Sequence, residues 1–350
     1  MNSSEDQTDQ TRENDQSRTR SRRGWIVGGI VAAGLLVLTA ASVALVLLVG
    51  LLGSGGDSVS SPPTYEEEYV SGEGDQKIAA IPVQGRITAA ETGLAGTVPT
   101  TSPSGLRDAL QQAEEADDVE AVILEVDSPG GGVTASDQMH QHIMDFKKSS
   151  NKPVVVSMGS TAASGGYWIS TAADRIVTNE TTLTGSLGVF IPLLNFSEAA
   201  DKYGVTQKYV KSGKFKTMGS PWKDLTEQER EIFDSIVDQE YDKFVEVIME
   251  GRDLPEQRVR DLADGRVYSG LQAKNLGLAD TTGGLDEAAE VSRNLADIES
   301  ARIVRYVQSP GFADFLQARL APKKPEATYV MEAAGLNLEA KPYALYLPGR

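Results

Sequence analysis

The sequence contains no cysteine. That single absence excludes disulfides, thiolate zinc sites, iron–sulfur clusters and a cysteine nucleophile. Only two histidines are present, His140 and His142. A three-histidine metal centre is therefore impossible, and a serine–histidine–carboxylate triad would have to use one of these two. They stand two residues apart in a segment of helical spacing, where such residues do not share a face. Both read as solvated helix residues. Positive charge is in deficit as well: 33 Lys and Arg oppose 50 Asp and Glu, for a net −17. The first 53 residues hold five Arg and five acids, so the whole excess lies downstream. A domain this acidic is unsuited to a phosphate backbone, which excludes nucleic acid as a partner. The acidity itself reads as a solvated surface. With 350 residues, 40% apolar and 24% charged, the chain is long enough for one large domain or two small ones.

Charge is absent altogether from residues 25–52, a run of Leu, Val, Ala, Ile, Gly and small polar residues. A membrane-spanning helix needs about 20 apolar residues, and the core of a cleavable signal peptide is shorter than this run. The expectation is an uncleaved transmembrane helix over 24–53. Arg18, Arg20, Arg22 and Arg23 precede it, and no Lys or Arg follows until Lys77. The positive-inside rule then puts the polar, disordered tail 1–23 in the cytoplasm and the rest of the chain outside. Residues 54–76, rich in Gly, Ser, Pro and acids, read as a linker.

From Lys77 the pattern becomes globular. Strands are predicted over 77–87, 119–126, 153–157, 175–178, 187–191 and 206–210 and near 267. Helices are predicted over 104–116, 134–149, 164–172, 227–250, 255–262 and 284–295. The alternation implies a mixed α/β layer fold. In the 227–250 helix, Thr226 and Glu229 have capping-box spacing. Ile232, Phe233, Ile236, Val237, Phe244, Val245, Ile248 and Met249 form its packing stripe, and Gly251 suits its stop. Residues 307–350 read as a tail with a helix at 311–319.

Three segments carry possible chemistry. The strand predicted over 119–126 runs through Asp127 into SPGGG and then a helix. Glycines there allow positive φ and close backbone approach, so free N–H groups could stabilise an oxyanion. A plain strand-to-helix turn would look the same. In GSTAASGGYWIS, Ser164 sits among Ala and Gly, which leave room beside its hydroxyl. It is either a nucleophile in the positive field of a helix start or simply that helix's cap. A serine nucleophile needs a base, and a lysine freed of its proton by burial could serve. Lys208, Lys211, Lys214 and Lys216 cluster in QKYVKSGKFKTMGSP, and position alone does not choose among them.

Taken in order, SPGGG, GSTAASGGYWIS, TGSLGV and VKSGKFKTMGSP resemble the signal peptide peptidase A family of membrane-anchored Ser–Lys proteases, from about residue 77 to 303. The resemblance implies that Ser164 is the nucleophile, that Lys216, 52 residues on, is the general base, and that Ser186 orients that lysine. It implies an oxyanion hole of the Gly131 and Gly165 N–H groups, and no metal or cofactor. The implied fold is the crotonase and Clp-protease spiral of ββα units, in a peptidase domain over 77–306. The chain has one copy of this domain, like family members that form rings in which serine and lysine come from neighbouring subunits. The implied substrates are hydrophobic peptides near the membrane, such as remnant signal peptides. The alternatives are a crotonase-fold acyl-coenzyme A enzyme and an inactive scaffold of the same fold.

Overall fold

The computed structural model describes residues 65–89 and 100–308. The expected tail 1–23, the expected membrane helix 24–53, the first part of the linker and nearly all of the C-terminal tail, with its helix at 311–319, lie outside the described residues. Among the described residues no helix is long and apolar enough to cross a membrane.

The chain runs β1 (Glu66–Gly72), β2 (Lys77–Gln84), β3 (Arg86–Ile87), β4 (Thr100–Thr101), α1 (Pro103–Glu115), β5 (Val119–Ser128), α2 (Val133–Ser150), β6 (Val154–Ala163) and α3 (Gly165–Ser170). It continues through β7 (Arg175–Thr178), β8 (Leu183–Gly185), α4 (Ser197–Lys202), α5 (Glu227–Arg252), α6 (Glu256–Leu262), β9 (Val267–Ser269), α7 (Gly270–Leu276), β10 (Thr281–Thr282), α8 (Leu285–Ala296) and β11 (Arg302–Val307).

The main sheet has the order β1-β11-β2-β5-β6-β7-β10 and is parallel except for β1 at its edge. Its central strands are apolar on both faces because both faces are covered. Ala79, Ile81 and Val83 of β2 join Val122, Leu124 and Val126 of β5 and Val154 and Val156 of β6 on the face that also buries residues of α1, α2, α3 and α5. Ile78, Ala80, Ala121, Ile123 and Val155 point the other way, onto Ala288 and Ala289 of α8. The strand pleat sends alternate side chains to opposite faces, so one continuous apolar run feeds two cores. Each fully buried Val, Ile or Leu contributes about 1.5–3 kcal/mol.

The far end of β6 parts from β7 while staying paired with β5 through Ala162 and Ser128. Thr161–Ala163 pair with β8, which pairs antiparallel with β9. This splits the end of β6 away from β7 and brings two loops, those after Ala163 and after Gly185, side by side.

Several expectations need correction. The residues read as a linker are not linker throughout: Glu66–Gly72 forms β1, antiparallel to β11. Tyr65 is fixed to α1 by its N–H and C=O, both bonded to the Gln112 side-chain amide at 2.7 and 3.0 Å. No strand forms at 187–191 or 206–210; neither segment finds a sheet partner. The capping box of α5 is present, but of its stripe only Phe244, Val245 and Ile248, all at the C-terminal end, are buried. Ile236 is exposed, so the N-terminal half projects from the core. Gly251 does not stop the helix; Asp253 does, in the left-handed conformation. A Cβ on Gly251 would lie 2.2 Å from the Thr171 carbonyl oxygen, so that glycine serves a close approach.

Candidate active site

Ser164 occupies the single residue between β6 and α3, at φ 52° and ψ −119°. Five non-glycine residues among those described have positive φ. Asn151, Asp253 and Asp297 are left-handed helix C-caps, a cheap place for Asn and Asp. The other two are Ser164 and Ser186 (φ 51°). Such a backbone costs on the order of 1–3 kcal/mol and persists only where its surroundings enforce it. Here the Ser164 N–H donates to the Gly185 carbonyl at 2.8 Å, and its own carbonyl accepts from the Trp168 N–H at 2.9 Å. The side chain makes no capping hydrogen bond. Ser164 thus stands at the N-cap position of α3 without its hydroxyl capping the helix.

Buried aromatics anchor α3 beneath Ser164. Trp168 packs on Phe244 with ring centroids 4.8 Å apart. The Tyr167 hydroxyl donates to the Leu278 carbonyl at 2.8 Å, and burial raises its pKa.

The glycine turn lies against this serine. A Cβ on Gly130 would fall 2.5 Å from the Gly165 nitrogen and 3.0 Å from the Ser164 Cβ. A Cβ on Gly165 would fall 3.2 Å from the Gly131 nitrogen and 2.3 Å from the Ser136 Oγ. Gly131 is bridged to Ile87 in a parallel sense. The Ile87 N–H donates to the Gly130 carbonyl at 3.0 Å, and the Gly132 N–H donates to the Ile87 carbonyl at 3.0 Å. Across a trans peptide the C=O and N–H point in opposite directions. The Gly131 N–H therefore points away from β3, and no acceptor among the described residues takes it. Gly165 is the first residue of α3, so its N–H lacks an intrahelical partner.

Of the residues expected from sequence, the structure brings Ser164, Ser186, Gly131 and Gly165 together. Ser186 follows Gly185, which pairs with Ala163. Its own N–H donates to the Arg266 carbonyl at 2.7 Å. Lys216 is not brought in: it is exposed. Among the described residues the Ser164, Ser186 and Lys216 side chains make no hydrogen bond. Of the other lysines, Lys214 bonds Gln228 and Lys211 bonds the Lys214 carbonyl at 2.9 Å. Two residues passed over in the sequence also belong to the site, Ser128 and Ser136, both buried. A serine just before Pro-Gly is a turn signal, which could have flagged Ser128.

The histidines are not alike. His140 is buried, contrary to its reading as solvated. Desolvation pushes its pKa down to about 4, against the partial opposition of Asp137. Its Nδ1 has no partner among the described residues. It belongs to the packing of α2. Among the described residues no group of three His, Asp or Glu is placed to hold a metal ion.

Residues 146–299 match peptidase family S49. The chain is 35% identical over 306 residues to signal peptide peptidase SppA of Enterococcus faecium, covering 84% of this chain and 87% of that one. It is 32% identical over 275 residues to Protease 4 of Haemophilus influenzae, covering 76% of this chain but 44% of that longer one. A Listeria monocytogenes ClpP1 variant aligns at 16% identity and a TM-score of 0.40, over 59% of this chain and 91% of its own. The similarity to SppA spans the strained serine, the glycine turn and the lysine segment alike, and with it the chain belongs to peptidase family S49, as a serine endopeptidase.

Proposed function

We propose that this endopeptidase is membrane-anchored and cleaves hydrophobic peptides, remnant signal peptides among them, with a Ser164–Lys216 dyad. The observation that carries the reading is the strained Ser164, whose hydroxyl makes no capping bond, packed against the glycine turn whose Gly131 N–H has no acceptor among the described residues. In the proposed reaction the unprotonated Lys216 amine takes the Ser164 hydroxyl proton as Oγ attacks the scissile carbonyl. The Gly131 and Gly165 N–H groups stabilise the oxyanion. Collapse of the tetrahedral intermediate breaks the C–N bond, and the leaving amine takes the proton from Lys216. Water, deprotonated by the same lysine, then hydrolyses the acyl-enzyme. Ser186 orients the lysine.

Lys216 is proposed to act on the Ser164 of a neighbouring subunit in a ring. It lies within 187–226, a segment that carries exposed Phe190, Tyr203 and Val210 and lies beside the projecting half of α5. Exposed apolar side chains on one segment suit a surface covered by another copy. The fold is read as the crotonase and Clp spiral. The uncharged run 25–52 is read as the anchor, with the peptidase domain outside the membrane. Membership of a peptidase family argues against the acyl-coenzyme A and inert-scaffold alternatives.

A fluorophosphonate probe followed by peptide mass spectrometry tests the nucleophile. The adduct is expected on Ser164 and absent from Ser164→Ala, which keeps its fold and loses several orders of magnitude in rate. An adduct on another serine overturns the assignment.

A further inference from the structure

We infer that Ser128 is a positioning residue for the oxyanion hole: its buried hydroxyl holds the Gly130–Gly131 turn so that the Gly131 N–H faces the carbonyl attacked by Ser164. The inference rests on the oxyanion role proposed above for Gly131.

Ser128 is the last residue of β5 and is fully buried. Its Oγ accepts the Gly130 N–H at 3.1 Å, closing a short side-chain turn over Pro129. Gly130 is itself buried and sits at φ 90°. Without the Ser128 oxygen its N–H would have no acceptor, at a cost comparable to a lost hydrogen bond. The turn could relieve that cost by rotating the peptides on either side of Gly130.

That rotation would matter at the next residue. The Gly130–Gly131 peptide is held at its carbonyl by the Ile87 N–H at 3.0 Å, and the peptide before it is held at the Gly130 N–H by Ser128. These two bonds fix the plane whose N–H end is the oxyanion donor. Ser128 is also wedged against the helix that carries the nucleophile. A Cβ on Gly166 would lie 2.7 Å from the Ser128 carbonyl oxygen and 3.4 Å from its Cβ. The same residue thus spaces the donor turn from α3. A donor must lie about 2.7–3.1 Å from the position the oxyanion occupies, and this clamp supplies that registration.

The test uses the full-length chain and a peptide aldehyde, whose hemiacetal with Ser164 carries the oxyanion, beside the matching peptide alcohol, which forms none. Ser128→Ala should lower kcat by ~10- to 100-fold with KM little changed, less than the ~10²- to 10³-fold of a donor removed outright, because the Gly131 N–H is displaced and not lost. Aldehyde affinity should fall by the same factor and alcohol affinity should hold. The pH profile should keep its shape, and Ser128→Thr, which retains the acceptor, should recover most of the rate. Near-UV circular dichroism and Tm check the fold. Should the alanine variant not fold, Ser128→Cys, of similar size and a weaker acceptor, carries the same comparison. Wild-type kcat and aldehyde affinity in the variant would overturn the role of Ser128, as would equal losses of aldehyde and alcohol affinity. If the wild-type enzyme forms no hemiacetal on Ser164, the nucleophile assignment falls first and this inference with it.

Discussion

The amide of Ser164 donates to the carbonyl of Gly185 at 2.8 Å. This bond joins Ser164 to the residue immediately before Ser186, so the two serines proposed to act together are set side by side. Each serine stands at positive φ without being a helix C-cap. The strain is thus paired across β6 and β8. A Cβ on Gly185 would come within 2.6 Å of the Tyr268 ring, so this position must stay glycine for β8 to pass that close to β9.

Ser186→Ala should reduce the rate by ~10²-fold without abolishing it, as for other groups that orient a catalytic partner. The substitution removes only a hydroxyl and leaves the Ser186 N–H bond to Arg266 in place. Steady-state peptide hydrolysis measures it, and an unchanged rate would reduce Ser186 to a turn residue.

Lys216→Ala and Lys216→Arg should both be inactive, Arg because it stays charged at any working pH. Lys214→Ala should remain active. Co-expressed in equal amounts, Ser164→Ala and Lys216→Ala chains should regain substantial activity, roughly a quarter of the sites being whole if each site draws on two subunits. Background activity from verified mixed oligomers would place serine and lysine in one chain.

His140 should tie stability to pH. Its proton is held less tightly in the folded protein, at about 4, than in the unfolded chain, at 6.5. The unfolded state therefore binds more protons between these values, and stability falls as pH drops from about 6.5 to about 4 before levelling. The loss is on the order of 3 kcal/mol. The charged groups acting on His140 are Asp137, Lys147 and Lys243. Urea unfolding of wild type and His140→Gln across this range should show a flatter acid limb in the variant. Parallel limbs would mean that His140 is solvated when folded.

The anchor reading predicts a topology. With no native cysteine, Ser60→Cys offers a single thiol beyond the apolar run. A membrane-impermeant maleimide should label it in intact cells or spheroplasts. Labelling only after lysis would reverse the orientation.

The sequence by itself determined the local elements and the identity of the chemical groups. Apolar runs marked β2, β5 and β6 because both faces of a parallel sheet are buried. Thr226 and Glu229 marked the start of α5 because a capping box is made within four residues. SPGGG and GSTAASGG marked the turn and the serine because small residues are needed wherever backbones touch. What only the tertiary structure decided depends on partners far along the chain. Glu66–Gly72 looked like an acidic linker and became a strand because β11 offered it an open edge. Residues 187–191 and 206–210 looked like strands and did not become so, having no edge to join. His140 looked solvated until α2 packed and buried it. The aim of the Gly131 N–H followed from a bridge to Ile87, and the nearness of Ser186 to Ser164 from the pairing of β8 with the far end of β6. Local preference is written in neighbouring residues. Pairing and burial are set by which distant surface arrives, and that becomes definite only when the chain is folded.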